Sequence, residues 1–392
     1  MEGLFSRPKS SAGDFKNTGY LTRMMGNMSR FYGLILVLVV GLIWIPANSQ
    51  SVKGVWLTDV ASKALDSRES IEEVVRRCKA IGLDNIYVVV WNRGYTLYPS
   101  AIMQAEFGRR VMPRFSKFDM LATLIEEAHK ESLKVHAWFE FGFSSSYQKE
   151  DGGHILRVKP EWKALDNQGN LVSKNGFQWM NAFHPEVQEF LLSLIVEVVQ
   201  NYDIDGVQGD DRLPANPSTA GYDAYTIGAY KKEHNGVHPP QDYKNKDWVD
   251  WRAKRLNRFA EKIFKTVKST KPEVMVTMAP SIFPWSKEEY LQDWPTWVEA
   301  GWVDQIIPQV YRYNIEAYTK TLESNLEFMP EGSKDLFVPG VLLKVDDYLP
   351  SEAYLKNMIN TNRKLGLKGE VFFFYEGLKG HDSFFQDEYP KM

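Results

Sequence analysis

The sequence predicts an α/β fold, a (β/α)8 barrel of the TIM type with long βα loops and a short or missing last helix. Three observations predict it. From Lys53 onward, short apolar runs alternate with longer segments of helical period, and eight such units can be counted. None of the eight carries a Gly-rich phosphate fingerprint, which favours a closed barrel over a doubly wound open sheet. Polar residues also recur at the C-terminal ends of runs one, two, three, four, six and eight, the end at which barrels of this kind assemble their sites.

The elements follow in order. Residues 54–58 form the first strand, ending at Asp59, and 70–81 its helix. The second strand, 85–91, runs into Asn92-Arg93-Gly94, and its loop carries Tyr95, Tyr98 and Phe107 before a helix over 117–131. The third, 134–139, ends at Glu140. Strand side chains alternate with period two, so His136, Trp138 and Glu140 share one face. A loop of functional length, 141–184, contains Trp162, Phe177 and Trp179. A helix over 185–202 leads to the fourth strand, in which Val207 faces one way and Gln208, Asp210 and Arg212 the other, with Asp211 turned outward or into the following loop. A Pro- and Tyr-rich excursion reaches to about residue 247, followed by an amphipathic helix over 248–270. The fifth strand is 274–278, and Trp285, Trp294, Trp297 and Trp302 crowd the segment after it. In the sixth, 304–310, Gln305, Ile307, Gln309 and Tyr311 alternate with Ile306, Pro308 and Val310. The seventh is 336–342 with a helix over 351–365, and the eighth, 370–374, ends in Tyr375-Glu376-Gly377.

Length and composition bound the rest. At 392 residues and 44% hydrophobic the chain can bury one large core, and no second core is visible, so the barrel is assigned to 52–380 and a tail to 381–392. Net charge is −3, with no basic block or stripe of the kind that tracks phosphates, which excludes nucleic acid as the partner. The chain contains one cysteine, Cys78, in a helical stretch. It therefore forms no intrachain disulfide and no cysteine metal site, and its thiol reads as buried structure. Arg30, an almost unbroken apolar run over 31–45 and small residues at the exit read as a secretory signal within a 1–49 leader. A cleaved product would be secreted or periplasmic with no stable membrane span, and a single N-terminal anchor is the alternative.

The candidate chemistry lies at the rim, where Asp59, Glu140, Asp210, Asp211 and Glu376 collect. Two carboxyl groups flanking a sugar ring are the minimum for hydrolysing a glycosidic bond, one to protonate the departing oxygen and one to act as nucleophile or activate water. Asp210 is the first choice, with Glu376 or Glu140 as the acid. Arg93 and Arg212 are placed to orient the carboxylates. The aromatic content of 14% suits a carbohydrate partner, an oligosaccharide or polysaccharide. Tyr98, Trp138, Trp179, Tyr311 and Tyr375 are the candidate subsite rings, with Asn92, Gln208 and Gln309 as polar contacts. His136, His154 and His184 lack paired ligand spacing, so neither a metal nor another cofactor is assigned.

Gly54-Val-Trp-Leu-Thr, Trp91-Asn-Arg-Gly94, His136-Ala-Trp-Phe-Glu140, Asp205-Gly-Val-Gln-Gly-Asp-Asp211 and Pro308-Gln-Val-Tyr311 occur in that order. Together they resemble the glycosyl-hydrolase-like family ten, formerly domain of unknown function 187, over nearly all of 52–378. The resemblance implies a (β/α)8 barrel, secreted or envelope-bound, acting on glycans of an amino-sugar or peptidoglycan type. It also implies that Asp210 and Asp211 are the acidic fourth-strand motif. The chain departs from the family pattern at Arg212, where an aromatic is usual, and at Glu140-Phe, where many members carry Asn-Pro. A barrel that binds envelope glycans without turnover is the alternative that the Arg212 departure raises.

Overall fold

The computed structural model describes residues 51–389. The segment read as a leader with a secretory signal, on which the expectation of export rests, lies outside the described residues.

Eight parallel strands make one sheet: β1 (Lys53–Leu57), β2 (Asn85–Val89), β3 (Lys134–Trp138), β4 (Gly206–Asp210), β5 (Met275–Ala279), β6 (Gln305–Ile306), β7 (Gly340–Leu342) and β8 (Glu370–Phe373). Each strand pairs with its neighbours in sequence, and β1 pairs with β8 through Lys53–Glu370, Gly54–Val371 and Val55–Phe372. The ring closes between β6 and β7 by parallel bridges at Ile306–Phe337 and Gln309–Gly340. β6 is much shorter than the 304–310 read from alternation, because Pro308 has no N–H to give to the ladder. Its carbonyl still accepts from Gly340 N at 2.9 Å, which keeps the closure.

The outer layer is α1 (Arg68–Ala80), α2 (Met120–Lys130), α3 (Pro185–Asn201), α4 (Lys246–Thr270), α5 (Trp294–Glu299), α6 (Ile315–Leu326), α7 (Glu352–Lys364) and α8 (Asp382–Glu388). Side-chain caps set several starts: Ser67, Asp119, Asn245, Asn314 and Ser351 each accept from a first-turn N–H. α8 is the short last helix. The segment beyond 380 is therefore no loose tail, since Phe384, Phe385 and Tyr389 are buried, Phe385 against Phe372 of β8 at 5.0 Å.

The barrel interior is filled in layers of large and small side chains. Trp56 lies between Tyr87, Trp138 and Phe373, with ring centroids 5.9, 6.3 and 6.1 Å away. Glycines make the room. A Cβ at Gly54 would stand 2.8 Å from the Tyr87 ring, and one at Gly206 would stand 2.2 Å from His136 Nδ1.

Two long βα loops have structure of their own. After β3, Ser144–Tyr147, Ser173–Lys174 and Phe177–Trp179 form a three-stranded antiparallel sheet. After β4, the excursion contains a helix, Ala224–Glu233, and is pinned by fully buried Arg252, which donates to the carbonyls of Ser218, Ala220 and Tyr243.

Candidate active site

Strand register gathers the acids. Trp138 of β3 pairs with Gln208 of β4, so Glu140 and Asp210, two residues beyond each, stand level on strands about 4.8 Å apart. Asp59 follows β1. Asn92 comes from a hairpin after β2 whose two central residues, Arg93 and Gly94, both have positive φ (51° and 75°), the turn geometry that matches strand twist. A Cβ at Gly94 would meet Ser145 O at 2.7 Å, so this turn needs its glycine.

One amide ties the first three strands together. Asn92 Nδ2 donates to Asp59 Oδ1 and to Glu140 Oε2, both at 2.8 Å, and Thr58 Oγ1 adds a bond to Glu140 Oε2 at 3.3 Å. Above them Arg93, 42% exposed, pairs with the fully buried Asp59 carboxylate at 3.0 Å. Asp210 accepts from Trp138 Nε1 at 3.2 Å, Arg212 N at 2.9 Å and the Arg212 guanidinium at 3.2 Å. Arg212 also donates from Nε to Glu140 O at 2.8 Å, pairs with Asp211 at 3.1 Å, and lies 4.7 Å over the Phe177 ring. It reaches Asp210 differently from the alternating strand expected. β4 stops at Asp210 and the chain turns back, Leu213 N bonding Asp210 O at 3.2 Å.

Burial sets the electrostatics. It pushes the Glu140 carboxyl up to about 7, with Arg212 pulling down and Asp59 pushing further up. Burial likewise holds Asp210 well above the usual carboxylate range, Arg212 opposing, Asp211 and Glu140 adding. Asp59 is raised by burial against the pull of Arg93 and Arg114. Asp59, Glu140, Asp210 and Asp211 thus face Arg93, Arg114 and Arg212. The Glu140 carboxyl, held up to about 7, therefore retains its proton in mildly acidic solution.

The structure brings together some predicted residues and separates others. Tyr311, half-buried, belongs with the acids: after burial, the charges of Asp211 and Asp210 raise its phenol. Half-buried Gln309 is engaged by its own sheet, donating to Ala279 O at 3.0 Å. Gln208 is a barrel-interior strut, accepting from Trp56 at 2.6 Å and donating to Thr277 at 3.2 Å, and is 1% exposed. Trp138 serves through its N–H and not its face, since it is buried. Three further ring assignments are corrected. Tyr98 is sealed under α3, donating to Glu197 and Leu194 O, because it follows the hairpin into the outer layer. Tyr375 turns outward toward Arg77 and Cys78 of α1. Trp179 is buried against Tyr290 at 5.9 Å, inside the loop sheet. Glu376 stands in the Tyr375–Gly377 turn, where it accepts from Ser62 at 2.8 Å and pairs with Lys379 at 2.7 Å, apart from the Glu140–Asp210 contacts.

Sequence reasoning missed Thr58 and Arg114. Arg114 donates to Asp59 O at 2.7 Å and Ser62 O at 2.6 Å and pairs with Asp66, so it fixes the loop that carries Asp59. It lies in a single 3-10 turn, Pro113–Phe115, too short for any periodicity to mark it. Among the described residues, no set of three or more His, Cys, Asp or Glu is arranged to hold a metal ion. A groove of about 400 Å³ along α3, lined by Ile102, Glu189, Leu192, Val196, Glu197 and Thr266, contains none of the rim acids Asp59, Glu140, Asp210 and Asp211.

A closed (β/α)8 ring with a cluster of carboxyl groups at its strand ends defines a class, the barrel glycoside hydrolases. The chain belongs to the Glycosyl hydrolase-like 10 family, which matches residues 51–335. It is 26% identical over 400 residues to the glycosyl hydrolase YngK of Bacillus subtilis, covering 88% of this chain and 74% of that one. It is also 26% identical over 303 residues to the glycosyl hydrolase DigH of Escherichia coli K12, covering 67% of this chain and 66% of that one. Among solved structures, the glycoside hydrolase domain of PgaB (BpsB) from Bordetella bronchiseptica superposes with a TM-score of 0.62 at 12% identity, covering 85% of this chain and 96% of that one. The catalytic domain of a β-amylase from Paenibacillus polymyxa gives 0.58 at 10% identity, covering 87% and 99%. At those identities the likeness concerns the fold.

Proposed function

We propose that this glycoside hydrolase cleaves an envelope or extracellular glycan outside the cytoplasm, an amino-sugar strand of the peptidoglycan type, with Glu140 as general acid and Asp210 as its partner carboxylate. The observation that carries the assignment is the placing of two acids level on adjacent strands, Glu140 partly open to solvent and Asp210 1% exposed beneath its donors. Glu140 is half-buried and held up to about 7, so it retains a proton at working pH. Asp210 receives an indole N–H, a backbone N–H and a guanidinium, donors that oppose but do not cancel the burial holding its carboxyl well above the usual range, so its negative charge is drawn out as positive charge develops on the sugar. Glu140 then gives its proton to the departing oxygen, and Asp210 supplies negative charge at the sugar carbon, directly or through a water. The choice of glycan rests on the family.

Glu140→Gln and Asp210→Asn are expected to lower the release of reducing ends from peptide-stripped cell-wall strands by about 10²- to 10⁴-fold while leaving circular dichroism unchanged. An Asp210→Asn enzyme as active as the parent removes Asp210 from the mechanism. The second reading, a barrel that binds glycan without turnover, draws on the clamp of Arg212 over Asp210, which leaves that residue 1% exposed. Retention of the strands by the parent protein with no product over a broad panel of glycans would establish it.

A further inference from the structure

Loops after β6 and β7 present an aromatic pair that the acid cleft does not use. Tyr313 is 65% exposed, the most exposed large hydrophobic side chain among the described residues. Its ring meets that of Tyr348 at 4.8 Å with planes 86° apart, an edge-to-face contact that props one ring and leaves the other face open. The backbone beneath is tied down. Arg312 donates to Tyr311 O at 2.6 Å and to Thr321 at 3.0 Å, Tyr354 OH donates to Arg312 O at 2.9 Å, and Asn314 caps α6. Tyr348 sits in a turn closed by mutual backbone bonds with Val345. Leu349, 46% exposed, adjoins Tyr348 in the chain and adds to the apolar surface.

Position gives this surface its meaning. Tyr311, two residues before Tyr313, feels the charges of Asp211, Asp210 and Glu140. Two residues of extended chain span at most about 7 Å. The open ring therefore follows β6, as Tyr348 follows β7, on the strand-end rim that carries the acids and across the barrel from the Asn92 hairpin after β2. A flat, apolar face with a polar edge, on the same rim as a cluster of carboxyl groups, matches the CH face of a pyranose.

We propose that Tyr313, propped by Tyr348 and bordered by Leu349, is a distal subsite on which an N-acetylated hexopyranose of an extended glycan stacks, so that the enzyme selects chains over disaccharides. The proposal rests on the functional reading above. Its test is binding, made in the Asp210→Asn protein so that no turnover intervenes. The probes are the hexamer and the dimer of N-acetylglucosamine, measured by calorimetry. Tyr313→Ala is expected to lower the ratio of hexamer to dimer affinity about tenfold, and Tyr313→Trp, which keeps a flat face, to preserve it. An unchanged ratio in Tyr313→Ala, or an equal loss in Tyr313→Trp, overturns the platform and leaves the hydrolase reading standing. Failure of the parent to bind either probe counts against the N-acetylated glycan itself, and the platform falls with it. Self-association of the parent that Tyr313→Ala abolishes overturns it in favour of a second copy of this chain.

Discussion

At the scale of single residues the pH behaviour follows from Glu140 and Arg212. A general acid must carry its proton, and burial holds that of Glu140 up to about 7, so kcat/KM is expected to fall about tenfold per pH unit above that value. Arg212 pulls the titrations of both Glu140 and Asp210 downward. Its replacement by Met removes a positive charge from the cluster, so both limbs of the pH–rate profile should move to higher pH, and limbs that stay or move down would show that Arg212 does not set the proton balance. The same group affects folding. Glu140 titrates higher in the folded protein than in the unfolded chain. The stability linked to its proton is therefore complete below the ordinary value of 4.5 and is lost as pH rises to about 7. In urea titrations, Glu140→Gln should flatten that part of the stability curve. Asp210 was readable from the sequence, because a period of two turns it inward with Gln208. Asn92 was readable only as a polar residue at a strand end. Its bridging of Asp59 and Glu140 depends on a hairpin turn that makes Arg93 adopt positive φ. Tyr375 was misplaced for a related reason, since the strand ends before it and alternation no longer says which way a side chain points.

At the scale of elements, the site depends on how closely the loops after β3 and β4 approach. Gly142 has φ of 47°, and a Cβ there would stand 2.0 Å from Arg212 O and 2.3 Å from Arg212 C. These are backbone atoms and cannot swing aside as a side-chain tip would. Phe143 N bonds the same Arg212 carbonyl at 3.0 Å, and Trp91 Nε1 bonds Gly142 O at 2.9 Å, so hairpin, third loop and fourth loop are fastened at one point. Gly142→Ala is expected to cost about 1–2 kcal/mol from the backbone conformation alone, to add the clash with the Arg212 backbone, and to push Arg212 off both Asp210 and the Glu140 carbonyl. A fall in melting temperature together with a loss of activity would be the signature, and a variant with parental stability and rate would show that the two loops part without consequence. The sequence indicated that these loops were long and functional. It did not show that one folds into a small sheet and the other around Arg252, because both arrangements come from contacts between distant segments and carry no periodic signal.

At the scale of the whole molecule, the eight strands were readable because each is a short apolar run followed by a helical period, a pattern written locally by burial on both faces of a parallel sheet. The seating of the last strand was harder to see. β8 pairs with both β1 and β7, and its seating depends also on what covers its outer face. That cover is α8: Phe385 packs on Phe372 at 5.0 Å, Tyr389 OH bonds the buried Glu370 carboxylate, and a Cβ at Gly82 would stand 2.3 Å from Tyr389 O, so the segment also touches the turn after α1. The sequence left this stretch outside the barrel because seven residues are too few to show a period. Its energetic weight is nonetheless large. Phe384, Phe385 and Tyr389 are 8%, 0% and 3% exposed, and burying three such rings is worth on the order of 5 kcal/mol. A chain ending at Gly380 also leaves Glu370 short of one hydrogen-bond donor, with Arg363 and Asn362 as its remaining partners. Truncation after Gly380 is therefore expected to lower the denaturation midpoint sharply or yield insoluble protein, and Phe385→Ala in the full chain to reproduce roughly half the loss. A truncated protein as stable as the parent would show that β8 keeps its seat in the barrel without the eighth helix.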